Sequence, residues 1–170
     1  MNFAFKLLLT VNATSWMLII YAIKESWTIA NIPSQLFAFI LLFIPVILSG
    51  VTIWLSKFLG KESSVECVEF SLADGEFLPI YLGYFFISVG VPENFTMFIV
   101  YAIVFVFTYI SKSQYFNPIF LLFGYHYYHI LTANGTRIFV IRRGKIFRNK
   151  TDLSFSNLRR INDTSFIEKG

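Results

Sequence analysis

The sequence predicts an integral membrane α-helical protein of four spans with a small cytoplasmic α+β cap that contains a β-hairpin. Three observations carry that prediction. The 170-residue chain is 56% hydrophobic and only 14% charged, with a mean hydropathy of +0.64, a balance typical of chains that bury long apolar runs in lipid. Its apolar residues gather in four uncharged runs before residue 111. Behind them comes a stretch of aromatic, β-branched and basic residues broken by Asn134-Gly135, a strong short-range hairpin signal.

The first run covers about Leu7 to Ile23. With Lys6 before it, it resembles a signal peptide, but it is long for a signal h-region and reads as a helix that stays in the membrane. The second covers about Gln35 to Leu55, interrupted by Pro45. Both meet the roughly 20 residues a spanning helix needs. The third, Phe77 to Val91, and the fourth, Phe95 to Ile110, are shorter. They are expected to borrow flanking residues, to thin the bilayer, or to form a helical hairpin that does not fully cross. Pro92-Glu93-Asn94 supplies a tight turn between them.

The basic residues set the orientation. Lys6 precedes the first run, Lys24 follows it, Lys57 and Lys61 sit in the second loop, and ten more follow Ile110. Four spans with both termini in the cytoplasm place thirteen of the fourteen inside, as the positive-inside rule favours. The expected domains are therefore 1–111, transmembrane with a cytoplasmic loop 56–76, and 112–170, a cytoplasmic C-terminal domain with a hairpin over about 125–142. A fifth span from Phe116 to Leu131 would put Pro118, His126 and His129 in or near lipid and would move one terminus outside. The strand reading fits better.

In that hairpin a two-residue turn at Asn134 and Gly135, both with positive φ, pairs Leu131 with Ile138, His129 with Val140 and Tyr127 with Arg142. Both faces then carry apolar groups, so the ribbon needs further strands or other cover. Ser64 to Leu72 is rich in β-branched and aromatic residues and is the expected extra strand. Its Glu66 and Glu69 are placed to face the basic hairpin. Leu158, Ile161, Phe166 and Ile167 are the expected docking groups of the tail.

Candidate chemistry is sparse. His126 and His129 would share a helix face, but on a strand their odd separation puts them on opposite faces. No Cys, Asp or Glu lies near them in sequence to complete a metal site. They read as structural or interfacial, with metal binding or pH sensing the alternative. Cys67 lies beside carboxylates, which do not activate a thiol, and reads as buried and structural. One cysteine also excludes an internal disulfide. No nucleophile–base arrangement, phosphate-binding loop or metalloprotease helix is present. Neither an enzyme activity nor a cofactor is expected. Asn12, Thr14, Ser15, Ser49, Thr52, Tyr84 and Ser88 are the polar groups inside the runs, and such groups usually bond helix to helix. The strongest functional signal is basic: Arg137, Arg142, Arg143, Lys145, Arg148, Arg159 and Arg160. Lipid headgroups, a cytosolic protein or nucleic acid would each suit such a surface. The nearby Phe139, Phe147 and Phe155 favour a protein.

The segments "FLPIYLGYFF", "YFNPIFLLFGYHYY", "NGTRIFVI" and "LRRINDTSFI", in this order, resemble the KwaA family, the membrane subunits of bacterial Kiwa anti-phage systems. The resemblance runs from the first span to the C-terminus. It implies a four-span protein of the bacterial inner membrane that forms a homotetramer. It also implies a cytosolic KwaB-like partner that binds DNA, so no direct nucleic-acid binding is expected of this chain. The implied role is to sense phage disturbance of the envelope and to pass the signal on. No catalytic residues are carried over. Such a sensor needs two packings of similar energy. The short third and fourth spans, sensitive to bilayer thickness, suit the first requirement, and the surface from Tyr125 to Phe147 suits signal output. The alternative is a small oligomeric channel or pore, which the lack of charge inside the runs disfavours as a selective ion path.

Overall fold

The computed structural model describes residues 3–29, 31–62, 67–111, 117–147 and 157–168. The expectations at Glu66, Arg148 and Phe155, and three of the ten basic residues after Ile110 (Lys112, Lys150 and Lys169), lie outside these residues. The chain forms two compact units. One joins Lys6–Thr52 to Phe77–Asn117, and the other joins Met1–Phe5, Ile53–Glu76 and Pro118–Gly170.

The first unit is helical. Helix α1 is Phe3–Lys24, α2 Ser34–Leu55, α3 Leu78–Gly90 and α4 Asn94–Ile110. Each coincides with one apolar run. Proline punctuates them: Pro79 lies in the first turn of α3, where a missing N–H costs nothing, and Pro92 sits in the three-residue turn to α4. At 1.5 Å per residue, α1 and α2 are each about 33 Å long, α4 about 26 Å and α3 about 20 Å. Two helices, Phe3–Lys24 and Ser34–Phe58, are long and apolar enough to cross a membrane, whereas α3 and α4 fall short of that length.

Met17 and Tyr21 of α1, Tyr84 of α3 and Met97 of α4 form the buried centre of this unit. Its helices are tied together by Asn12, Thr14, Ser49, Tyr84 and Ser88, whereas Ser15 and Thr52 bond carbonyls of their own helices, Asn12 and Leu48, instead of a neighbour. Ser88 Oγ donates to the Met17 carbonyl at 2.7 Å. Tyr84 and Thr108 hydroxyls meet at 3.3 Å, and Thr14 and Tyr101 at 3.2 Å. Asn12 Nδ2 and Asn117 Nδ2 both donate to Ser49 Oγ, at 3.0 and 3.1 Å. Helix α2 presents the opposite case. The most apolar stretch of Ser34–Phe58 has a mean hydropathy of 2.7, yet only 17% of it is buried. Leu36, Ile40, Phe43, Ile47, Val51 and Trp54 are exposed along it, at the three- and four-residue spacing that makes one stripe.

The second unit is a five-stranded sheet with a short helix, α5 (Pro118–Leu122). Strands β1 (Cys67–Leu72), β2 (Tyr125–Thr132), β3 (Arg137–Arg143), β4 (Leu158–Arg160) and β5 (Ser165–Glu168) lie in the order β1-β2-β3-β5-β4. All neighbours are antiparallel except β3 and β5. Tyr128, Ile130, Ile138, Val140, Leu158 and Phe166 form the core of one face. Tyr125, Tyr127, Phe139 and Ile141 are buried on the other, where Phe120 of α5 meets the Tyr125 ring. The tail residues Leu158, Ile161, Phe166 and Ile167 are all buried, and three of them belong to strands β4 and β5.

The hairpin differs from expectation in its turn and register. Gly135 has φ +75°, whereas Asn134 does not enter the positive-φ region. The connection is a three-residue loop, Ala133 to Gly135, closed by Thr132 N–H donating to the Thr136 carbonyl at 3.0 Å and Gly135 N–H to the Thr132 carbonyl at 2.9 Å. Only its last residue needs the left-handed region, and glycine is there. The extra loop residue moves the pairing by one: Ile130 faces Ile138, His129 faces Phe139, and Leu131 faces Arg137. Because side chains alternate along a strand, this one-residue shift re-sorts the two faces. Ile130 and Ile138 now share a face inside the core rather than lying on opposite faces. The expected extra strand is present as β1, with an irregularity between Cys67 and Glu69. Cys67 is half-buried rather than fully buried and packs at the margin of the core.

Candidate functional site

The β2–β3 hairpin carries most of the residues the sequence singles out, and the sheet divides them into different roles. Three of the basic residues are engaged within the unit. Arg142 Nε lies 2.5 Å from Glu168 Oε2 on the neighbouring strand β5, and its guanidinium sits 3.9 Å from the centre of the Phe147 ring. Arg159 donates to the Leu59 carbonyl at 2.9 Å. Arg160 pairs with Asp163 at 2.6 Å and approaches Glu62 at 4.0 Å. Arg137, Arg143 and Lys145 are exposed, and Arg148 is outside the described residues. Arg137 begins β3 and Arg143 ends it, so about 20 Å of strand separates them. The basic surface is therefore split between the turn end of the hairpin, with Arg137, and the far end, with Arg143 and Lys145.

The two histidines each find a carboxylate that lies about fifty residues away in sequence. His126 Nδ1 is 2.6 Å from Asp74 Oδ2, and the other Asp74 oxygen accepts the Tyr127 N–H at 2.7 Å. His129 Nε2 lies 3.0 and 3.1 Å from the two Glu76 oxygens. The segment Ala73-Asp74-Gly75-Glu76 reaches β2 because Ala73 N–H continues the ladder by donating to the Tyr127 carbonyl at 2.8 Å. The pairs differ in setting: His126–Asp74 is mostly shielded, while His129–Glu76 is open to solvent. Sequence spacing could not find these partners. The acidic "ADGE" before the third run was its only trace. Among the described residues no three His, Cys, Asp or Glu side chains gather as metal ligands.

Burial pushes the Tyr128 hydroxyl above the usual tyrosine range; the Phe147 main chain pulls it back, Asp74 raises it further and Arg142 lowers it. Tyr125 is raised by burial too, with Arg143 acting the other way.

A cavity of about 440 Å³ opens on the sheet where β1, β2 and β3 run side by side, lined by Glu69, Ser71, His129, Leu131 and Arg137 with Phe70 and Ile130. The register places Glu69, Leu131 and Arg137 in one cross-strand row and Ser71, His129 and Phe139 in the next. The helical unit holds a second cavity, of about 380 Å³, almost wholly apolar and lined by residues of α1 and α2 such as Leu18, Ile19, Phe37 and Leu41.

A family model described as "Anti-phage protein KwaA" matches residues 5–167, nearly the whole chain. No curated protein and no solved structure matches it.

Proposed function

The chain belongs to the KwaA family of anti-phage proteins, and from that premise we propose that it is the membrane-embedded sensor and scaffold of a defence complex. In this reading the four helices cross the bacterial inner membrane with both termini in the cytoplasm. The chain assembles with further copies of itself and recruits or activates a cytosolic DNA-binding subunit. The observation that carries the membrane placement is α2. An exposed stripe of Leu36, Ile40, Phe43, Ile47, Val51 and Trp54 is sustainable against lipid or another copy, and not against water. The unequal helices supply a basis for sensing. With α3 about 10 Å shorter than a hydrocarbon core of roughly 30 Å, its packing responds to bilayer thickness and tension.

Output belongs to the far end of the hairpin. Arg143 and Lys145 are exposed and free to meet an acidic partner surface, whereas Arg142 is held by Glu168 and Phe147. The test is a mild-detergent pull-down of the chain from its own host, compared with the pull-down of an Arg143→Glu/Lys145→Glu variant. The expected result is a stoichiometric cytosolic DNA-binding protein that the variant loses. Recovery of the same protein by the variant would refute the docking surface. Recovery of this chain alone would refute the scaffold reading.

A further inference from the structure

The cavity on the β1–β2–β3 face contains an unmatched acid and an unmatched base. Glu69 and Arg137 occupy the same cross-strand row, separated by Leu131 on the central strand. Their main chains are two strand spacings apart, about 10 Å. Both side chains line the cavity, and neither makes an ion pair with a described residue. This sets them apart from Arg142, Arg160, His126 and His129, each of which has its acid in place. The register fixes the gap: β2 cannot leave its position between β1 and β3 without breaking the sheet. Both groups are exposed and solvated in the free chain, and a single ligand that carries both opposite charges can engage them together across the apolar floor.

We propose that this cavity binds a small zwitterion of the phosphoethanolamine type, with its phosphate on Arg137 and its ammonium on Glu69. A guanidinium presents a planar fork that suits two phosphate oxygens, while the Ser71 hydroxyl, on the same strand as Glu69, lies on the ammonium side as a second acceptor. A carboxylate accepts the ammonium in the complementary position. Leu131 lies under the two-carbon link and gives the ligand an apolar surface between its charges. His129 borders the site with its Nε2 turned to Glu76, so the ring is held while its edge lines the wall. At about 440 Å³ the cavity falls within the range of small-molecule sites and exceeds the needs of a single ion.

The preference for phosphate over carboxylate as the anionic half rests on the membrane reading above, because a bilayer presents this zwitterion at its surface. The pocket itself does not depend on that reading, and the experiment separates the two. The full chain, purified in detergent, is titrated calorimetrically with O-phosphoethanolamine, inorganic phosphate, ethylamine and glycine. A second arm measures which phospholipid co-purifies with, or exchanges onto, the protein in nanodiscs of phosphatidylethanolamine or phosphatidylglycerol. The expected result is saturable binding of O-phosphoethanolamine at least tenfold tighter than of either half alone, weakened at least tenfold by Arg137→Gln and by Glu69→Gln. Both positions are exposed, and the variants are checked by their melting temperatures. Preferential retention of phosphatidylethanolamine would assign the ligand to a lipid headgroup; free-ligand binding without it would assign it to a soluble zwitterion and leave the pocket standing. Equal binding of phosphate alone, or binding untouched by Glu69→Gln, would reduce the site to an anion contact at Arg137 and overturn the proposal. Tighter binding of glycine would overturn the phosphate assignment. Absence of saturable binding in both arms would overturn it altogether.

Discussion

Arg142 on β3 and Glu168 on β5 face each other across the one parallel pairing of the sheet, 2.5 Å apart, with the carboxylate almost wholly buried. The pair fastens the last described strand to the centre of the unit. Removing one partner from a buried pair leaves the other charged and unmatched, at a cost of about 3 kcal/mol. Glu168→Gln is therefore expected to lower stability by roughly that amount, read as a fall in the melting temperature of the purified chain. Arg143→Gln, one residue on and exposed, is expected to change it by less than about 0.5 kcal/mol. Equal effects of the two would show that Arg142 is not a structural residue.

The turn makes an opposite pair of predictions at adjacent positions. With Gly135 at φ +75° and Asn134 outside the positive-φ region, Gly135→Ala is expected to cost about 1–2 kcal/mol through left-handed backbone strain. Asn134→Ala is expected to cost far less. A two-residue turn with both residues left-handed would make the two substitutions similarly costly. Denaturant or thermal unfolding of both variants in one detergent distinguishes the geometries.

That difference also shows what the sequence could and could not reveal. The four apolar runs are legible to within a few residues of α1 to α4, because charge and proline end each of them sharply. The strand at Cys67–Leu72, the hairpin and the burial of Leu158 and Phe166 are legible for a different reason: β-branched and aromatic residues cluster there. The register is not, because Asn-Gly fits both a two-residue turn and the end of a three-residue loop, and one residue decides which side chains share a face. The partners of the charges are also hidden. Asp74 reaches His126, Glu76 reaches His129, and Glu168 claims Arg142 only once the strands are assembled, so a basic cluster that is continuous in sequence separates into held and free residues.

Alkaline pH is expected to loosen the sheet through Tyr128. Its hydroxyl is raised above 10.0, first by burial and then by Asp74, against the pull of Phe147 and Arg142. Below pH 10 both folded and unfolded chains keep this proton. Above it the unfolded chain releases the proton while the folded chain retains it, so unfolding releases a proton, and stability falls as pH rises towards the folded value. Melting temperatures measured from pH 8 to about 11 should decline at the alkaline end, and Tyr128→Phe should flatten that decline. An unchanged slope in the variant would show that the decline comes from other groups.

Ser49 joins α2 to Asn12 of α1 and to Asn117. Its hydroxyl receives the Asn12 and Asn117 amides at 3.0 and 3.1 Å, and all three side chains are buried. The outer face of α2 is open, with only 17% of its most apolar stretch buried. Hydrogen bonds between helices in lipid average well under 2 kcal/mol each, because alternative partners exist in the unfolded state. Here one hydroxyl serves two buried amides at once. Ser49→Ala is expected to cost about 2 kcal/mol, measured by titrating the bilayer- or micelle-embedded chain with a denaturing detergent. Ser15→Ala, which removes a bond made only within its own helix to the Asn12 carbonyl, is the control and should cost less than half as much. If the two variants unfold alike, the Asn12–Ser49–Asn117 cluster is not what fastens α2, and the seam between helices must be held by packing alone.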